Sequence, residues 1–453
     1  MDAWTPDLTG FPGPKYQAVA DALAEAIRRG ELGPGDRLPP QRQLASRLGF
    51  DLTTITRAYD IARQRGHIVA RGRAGSFVRD AARASIAAAL QIDTGMNTPP
   101  MPHGDVIQRA LSLALHSVIG QGSVGDFQYQ DTGGSPAARR AGSLLLSRIG
   151  IACAADQVVV TAGGQNALHA ILGAIAQLGD RVACGRFVYP GFRAIAQRMG
   201  LALVPLPELT GVALEDACRE GPIRALYLVP TNDNPTTTTI SLAERERIAA
   251  VARREGVQIV EDDAYALLEP RPLPPVASFA PELSWYVLST AMAITPALRV
   301  AFVSAPGVAQ ALQLAADVHE TAVMAPPLNA AIVANWLGNG TFDRLVAAVR
   351  SEAGWRLKLA QAVLQDTSFT SHPSGYHLWL KLPPGVRADD LSHTLAAAGI
   401  GTIPSSRFAV GPTDEQALRV SLGGVAERET LESALRALAG HLGASLRKWD
   451  AVI

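Results

Sequence analysis

The sequence predicts a multi-domain chain: a small, mainly helical domain over residues 10–80, a linker over 81–93 and a large α/β domain over 94–445. Three observations carry this. Charge is unevenly spread, with eight Arg against two Asp between residues 40 and 79 of a chain whose formal net charge is zero. The stretch 80–100 is Ala-rich and then turns to Gly, Asn and Pro, the composition of a partly helical linker. Beyond it, apolar strand candidates alternate with helical stretches, as in a largely parallel sheet covered on both faces.

A chain of 453 residues has room for two or three cores. Hydrophobic content of 48% and charged content of 18% are those of an ordinary globular protein. The zero net charge gives no global field toward nucleic acid or an anionic membrane, so any such preference is local. Cys153, Cys184 and Cys218 are odd in number and lack metal-ligand spacing, which points to a reducing, cytoplasmic compartment and to no metal site. The opening MDAWTPDLTG lacks the basic region and apolar stretch of a secretory signal. Apolar runs broken by Gly, Pro or charge argue against a spanning helix.

In the N-terminal part, YQAVADALAEAIRRG places Tyr16, Val19, Leu23, Ala26 and Ile27 at helical spacing, with Gly30 as a stop. PPQRQLASRLGF opens a short helix near Pro40 with Leu44 and Leu48 on one face. DLTTITRAYDIARQRG makes a third, N-capped by Asp51, burying Ile55, Tyr59 and Ala62 and showing Thr53, Thr54 and Arg57 on its opposite face. HIVARGRAGSFVRD supplies two strand-like pieces around a basic tip. This order describes a winged helix-turn-helix whose third helix enters the major groove of double-stranded operator DNA. The alternative is a small helical domain with a solvated basic face. The run G-x-x-x-x-G-x-x-L-P-x-x-R-x-L-A, here residues 30–45, resembles the GntR-family DNA-binding domain. That resemblance implies DNA contacts from Arg42, Thr53, Thr54, Thr56 and Arg57, with Arg71, Arg73 and Gly75 in the wing.

In the large part, the strand candidates are QVVVTAG, DRVACG, ALYLVP, VQIVEDDAY, WYVLST and LRVAFVSAP, and ligands on such sheets sit outside the strands' carboxyl ends. Polar punctuation falls there. TAGGQNAL turns two glycines into a helix start, an anion cradle or only a turn. An Asn-Pro in TNDNPTTTT says little alone. The acids of VEDDAY suit a ligand cation or ring nitrogen, or an exposed turn. Ser289 and Arg299 suit an anion. Tyr189 is either a stacking surface or a buried ring. Arg419, inside an apolar strand, needs a carboxylate from ligand or protein.

In that order, these signals resemble fold-type I aminotransferases, which bind pyridoxal phosphate (PLP), over residues 94–445. With the N-terminal domain, the whole chain resembles a MocR-type regulator. The resemblance implies an α/β domain with a small C-terminal α+β subdomain and a homodimer. It implies phosphate contacts from Gly163, Gly164, Gln165, Ser289 and Arg299, stacking by Tyr189, and ring contacts from Asn234, Asp262 and Tyr265. It further implies an effector carboxylate on Arg419 and a reach by Tyr129 to the phosphate of the partner subunit.

One atom is missing from that pattern. The family's Schiff-base lysine lies seven residues before the arginine matched by Arg299, a position held by Met292, and Ala291 replaces the serine ahead of it. The chain's other lysines, Lys15, Lys358, Lys381 and Lys448, match no such position. Methionine neither attaches the cofactor nor moves a proton, and general base work alone contributes on the order of 10²–10⁴-fold. Ordinary transamination is therefore not expected. A single engineered change at residue 292 does not account for Ala291. PLP held non-covalently, or as an aldimine with a free amino acid, remains compatible with the other contacts. Three readings follow: a regulator sensing PLP, a PLP–amine adduct or a related small amine or amino-acid effector; a DNA-binding protein whose large domain is only a dimerisation scaffold; and a PLP enzyme with an appended DNA-binding domain, which Met292 counts against.

Overall fold

A computed structural model describes residues 4–11, 13–33, 36–65, 67–70, 75–78, 97–121 and 128–450. The chain divides into two compact units, Met1–Leu90 and Gln91–Ile453. The expected linker over 81–93 lies outside the described residues.

The first unit is built from α1 (Lys15–Arg28), α2 (Gln41–Leu48), α3 (Leu52–Gln64) and a hairpin of β1 (Ile68–Ala70) and β2 (Ser76–Val78). Gly30 and Gly49, at φ +74 and +65, end the first two helices in the left-handed region that glycine enters without strain. The apolar faces meet as expected: Val19, Leu23, Leu44, Ile55, Tyr59 and Ala62 form one core. Asp51 holds the N-cap position of α3, but its side chain makes no cap hydrogen bond, so the expected cap is present in position only. The hairpin is antiparallel with Val69 opposite Phe77. Leu38 N–H donates to the Ser76 carbonyl and Val78 N–H to that of Asp36, which adds a third piece of backbone to the wing.

The second unit runs α4 (Val106–Gln121), α5 (Pro136–Ser147), β3 (Val158–Thr161), α6 (Gly164–Ile175), β4 (Arg181–Gly185), α7 (Pro190–Arg198), β5 (Ala202–Leu206), α8 (Gly211–Arg219), β6 (Ala225–Leu228), α9 (Leu242–Glu255) and β7 (Gln258–Asp262). There follow β8 (Ser284–Ser289), β9 (Ala301–Ser304), α10 (Val308–Ala322), α11 (Pro327–Gly338), α12 (Thr341–Val363), β10 (Phe369–Ser371), β11 (His377–Lys381), α13 (Ala388–Ala397), β12 (Ile403–Pro404), β13 (Ala417–Ser421) and α14 (Arg428–Asp450).

Seven strands form one sheet in the order β3-β9-β8-β7-β6-β4-β5. Their side chains are buried on both faces in β3, β6 and β8, because helices cover both sides. The sheet is parallel except for β9, which runs antiparallel to both neighbours and pairs Ser289 with Ala301. The sequence pattern does not announce the edge strand β5: Pro205 interrupts it, as edge strands tolerate. The small sheet, β10-β11-β13-β12, is antiparallel. Its Trp379, Phe408 and Ala417 pack with Phe187, which follows β4. Backbone hydrogen bonds from Val188 to Phe408 and from Val410 to Arg186 zip the two pieces together. The three cysteines are free thiols. Among the described residues no helix is long and apolar enough to cross a membrane, and no cluster of metal-ligating side chains occurs.

Candidate functional site

The parallel strands end at one edge of the large sheet, and the segments leaving them line a cavity of about 110 Å³. Gly164 and Gln165 enter it after β3, Tyr189 after β4, Asn234 after β6, Asp262 and Tyr265 from the end of β7, and Ser289 from the end of β8. Arg299 reaches it from the start of β9, which begins at this edge because that strand is reversed. Arg419 comes from β13 of the small sheet. Residues far apart in the sequence are thus brought to one wall.

Gly164 and Gln165 open helix α6 at the cavity wall. The first N–H groups of α6 have no partner within the helix and point outward with the positive end of its dipole. Gly163, at φ +86, turns the chain into that helix. It stands just behind the lining, and a Cβ there would lie 3.1 Å from the Arg299 guanidinium carbon. Arg299 itself adopts φ +50, an uncommon backbone for a branched or long side chain, and donates to the Ala162 carbonyl at 3.1 Å. Ser289 is buried, and its Oγ is 4.0 Å from where a Cβ of Gly164 would sit.

In the middle, Tyr189 donates to Gln165 Oε1 at 3.0 Å, and burial pushes its hydroxyl pKa up. Asp262 accepts from the Tyr227 hydroxyl at 3.2 Å. Burial raises the Asp262 carboxyl to about 7, the Tyr227 hydrogen bond opposes the rise, and the Asp263 and Asp233 carboxylates reinforce it. A carboxylate so placed is stabilised by a cation. At the far end Arg419, 1% exposed, donates to Asn234 Oδ1 at 3.4 Å and lies 5.4 Å from the Phe408 ring centroid.

Met292 lines the same cavity, and the single Tyr376 hydroxyl proton is shared between its carbonyl oxygen, 3.0 Å away, and its sulfur, 3.4 Å away. Lys358 in α12 and Lys381 in β11 have exposed side chains and line no part of this cavity. Tyr129 is 82% exposed and stands outside the cavity of its own chain.

Sequence reasoning missed Asn97, Thr98, Tyr376 and His377. Asn97 and Thr98 line the cavity but sit at the entry to the large domain, in a stretch with no site motif. They reach it because Pro100 bridges to Gly424, just past β13, so that Ser421 donates to Asn97 across 324 positions at 2.7 Å. No local pattern announces such a contact.

In the first unit, Arg42 and Thr53 are exposed and Thr54 is half-buried. Arg57 is exposed and stacks its guanidinium 4.0 Å from the Tyr16 ring centroid. Thr56 instead donates to Gln41 Oε1 at 2.9 Å, tying α3 to α2. Gly75, at φ +108, packs against Arg37. Arg71 and Arg73 lie outside the described residues.

Two family models match the chain: aminotransferase class I and II over residues 91–438, and bacterial regulatory proteins, gntR family, over residues 15–78. Among relatives, the HTH-type transcriptional regulator YdeF of Bacillus subtilis (strain 168) is 28% identical over 96% of this chain and 96% of its own length. The probable rhizopine catabolism regulatory protein MocR of Rhizobium meliloti is 26% identical over 65% of this chain and 66% of its own. Among solved structures, LysN, an alpha-aminoadipate aminotransferase from Thermus thermophilus complexed with N-(5'-phosphopyridoxyl)-L-leucine, superposes with a TM-score of 0.70 at 23% identity. The superposition covers 81% of this chain and 99% of LysN.

Proposed function

The chain belongs to the aminotransferase class I and II family and carries a gntR-family DNA-binding domain ahead of it, and from that premise we propose that it is a transcription regulator which senses a PLP-linked amine without turning it over. It is a regulator by family; the sensing and its chemistry are the proposal. One observation carries it: Gly164, Gln165, Tyr189, Asn234, Asp262, Tyr265, Ser289, Arg299 and Arg419 line one cavity together with Met292, a side chain that carries no amine.

The residues fit PLP on their own chemistry. The α6 N-terminus, Ser289 and Arg299 would hold the phosphate. Asp262, raised by burial, would gain a cationic partner in the ring nitrogen and return to its charged form. Tyr189 would stack on the ring, while Asn234 and Tyr265 would face its hydroxyl. When bound, PLP supplies an aldehyde that captures primary amines. Arg419 would then fix the carboxylate of an amino-acid effector, and Phe408 behind it would keep that corner dry. Met292 is an apolar thioether in the cavity lining and offers no base, so a captured amine would stay bound and unreacted. Tyr129, exposed on its own chain, is available to a second subunit of a homodimer reading two half-sites.

The test is the visible spectrum of purified protein titrated with PLP and then with a panel of amines and amino acids, alongside binding to operator-length DNA. A saturable band, shifted by one amine and coupled to DNA affinity, is expected. No band, with DNA binding intact, would leave the large domain a scaffold.

A further inference from the structure

The Asp233 backbone carbonyl lies 3.1 Å from Nε2 of His377. A carbonyl only accepts, so Nε2 carries the proton. His377 is 1% exposed, and burial, reinforced by the Arg419 charge, drops its pKa to about 3, so the ring is neutral and Nδ1 is a bare acceptor. The side-chain amide of Asn97 lies 3.2 Å from that Nδ1. Only its NH₂ group can satisfy an acceptor, which fixes which way the amide faces. Its Oδ1 then accepts from Ser421 Oγ at 2.7 Å, in agreement. The second N–H of the same amide points at the Tyr265 hydroxyl oxygen, 3.1 Å away.

Every polar group of the Asn97 side chain is now used, and the Tyr265 oxygen is an acceptor from it. Tyr265 lines the cavity, and its own O–H has no acceptor within hydrogen-bond distance among the described residues. We propose that Asn97 is a positioning residue: locked by His377 and Ser421, it donates to Tyr265 and thereby turns the Tyr265 proton into the cavity as a fixed donor. The ligand atom at that corner is accordingly an acceptor oxygen, and a phenolate-like oxyanion is favoured over an N–H group. Three elements set one proton: the segment after β6, strand β11 and strand β13. Asn97 acts through the Tyr265 hydroxyl. This rests on the PLP reading above, in which that oxygen belongs to the ring.

The experiment uses full-length protein and PLP. It measures PLP affinity and the pH midpoint at which the bound chromophore's visible band titrates, for wild type, Asn97→Asp, Asn97→Ala, Ser421→Ala, Tyr265→Phe and the Asn97→Ala/Tyr265→Phe double variant, with thermal melting to confirm folding. A donor to the ring oxygen lowers its pKa. Asn97→Asp offers only acceptors and pulls the Tyr265 proton away, so its midpoint should rise as far as that of Tyr265→Phe, on the order of one pH unit for a lost hydrogen bond to a charged group. Asn97→Ala and Ser421→Ala should move it less, in the same direction. In the Tyr265→Phe background, Asn97→Ala should add nothing. Midpoints of the three Asn97 and Ser421 variants equal to wild type, or a full Asn97→Ala shift persisting without the Tyr265 hydroxyl, would overturn the inference alone. A wild-type protein with no saturable band would overturn the functional reading first, and this with it.

Discussion

The hydroxyl of Tyr376 sits 3.0 Å from the carbonyl oxygen of Met292 and 3.4 Å from its sulfur. A fully buried tyrosine thus ties the backbone and the side chain of Met292 together at the cavity wall.

Replacing that thioether tests what the site has lost. Met292→Lys, incubated with PLP and reduced with borohydride, is expected to gain the mass of one phosphopyridoxyl group, whereas wild type treated alike gains none. Intact-protein mass spectrometry reads this directly. A wild-type adduct at one of the native lysines would mean that attachment does not need position 292.

Arg419 should decide which amines are sensed. Its guanidinium is buried, and lysine reproduces neither its planar fork nor its reach. Arg419→Lys is expected to weaken amino-acid effectors about tenfold or more, on the scale of one charge-assisted hydrogen bond, while leaving simple amines unaffected. Calorimetric titration of matched amino acid and decarboxylated amine separates the two.

Stability should fall as pH rises to about 8: the raised acids lose their contribution from their unfolded values upward, and above about 6.5, where His377 no longer opposes them, they act alone. Burial, reinforced by Asp263, raises Glu261 from 4.5 to about 8; burial likewise raises Asp262 from 3.8 to about 7. Between the unfolded and folded values the native state binds more protons, so stability is lost as these carboxyls ionise. His377 works oppositely: its pKa is lowered from 6.5, so its contribution grows as pH climbs toward that value and is constant above. Beyond it only the acids remain, at up to roughly 1 kcal/mol per pH unit for each group still titrating. Melting temperatures across that range should decline, and Asp262→Asn should flatten the slope. A flat wild-type profile would mean that Glu261 and Asp262 ionise below that range.

On the DNA side, Arg57→Ala should weaken binding across all sequences and reduce the salt slope by about one. Tyr16→Leu should give a milder loss, since the ring only holds the guanidinium in place. Thr56→Ala should act on melting temperature more than on sequence preference, because its hydroxyl is spent on Gln41. Salt-dependent fluorescence anisotropy with an operator and a scrambled duplex distinguishes these outcomes.

Both units were legible in the sequence because periodicity and punctuation are local. Ile55, Tyr59 and Ala62 announce a buried helix face, and the uninterrupted apolar run before Ser289 announces a strand covered on both sides. Most of the residues that line the cavity were legible because they fall at or near the ends of apolar strands. Asn97 and His377 were not, since their meeting depends on Pro100 bridging to Gly424, a pairing between chain segments far apart in sequence. Strand β5 hid behind Pro205, and the reversal of β9 follows from its short return from β8, which no composition marks.

That reversal has a consequence for substitution at residue 292. Ser289 and Ala301 face each other across the ladder, so the loop between them is a closed excursion whose two feet are pinned whatever stands at its tip. Thr290 reinforces the closure through Val300, and Asn329 holds Leu298. The backbone on either side of residue 292 is therefore held by contacts that do not depend on its side chain. The side chain at position 292 can thus be exchanged without unpinning the segments on either side of it, so Met292→Lys should keep the shape of the cavity wall.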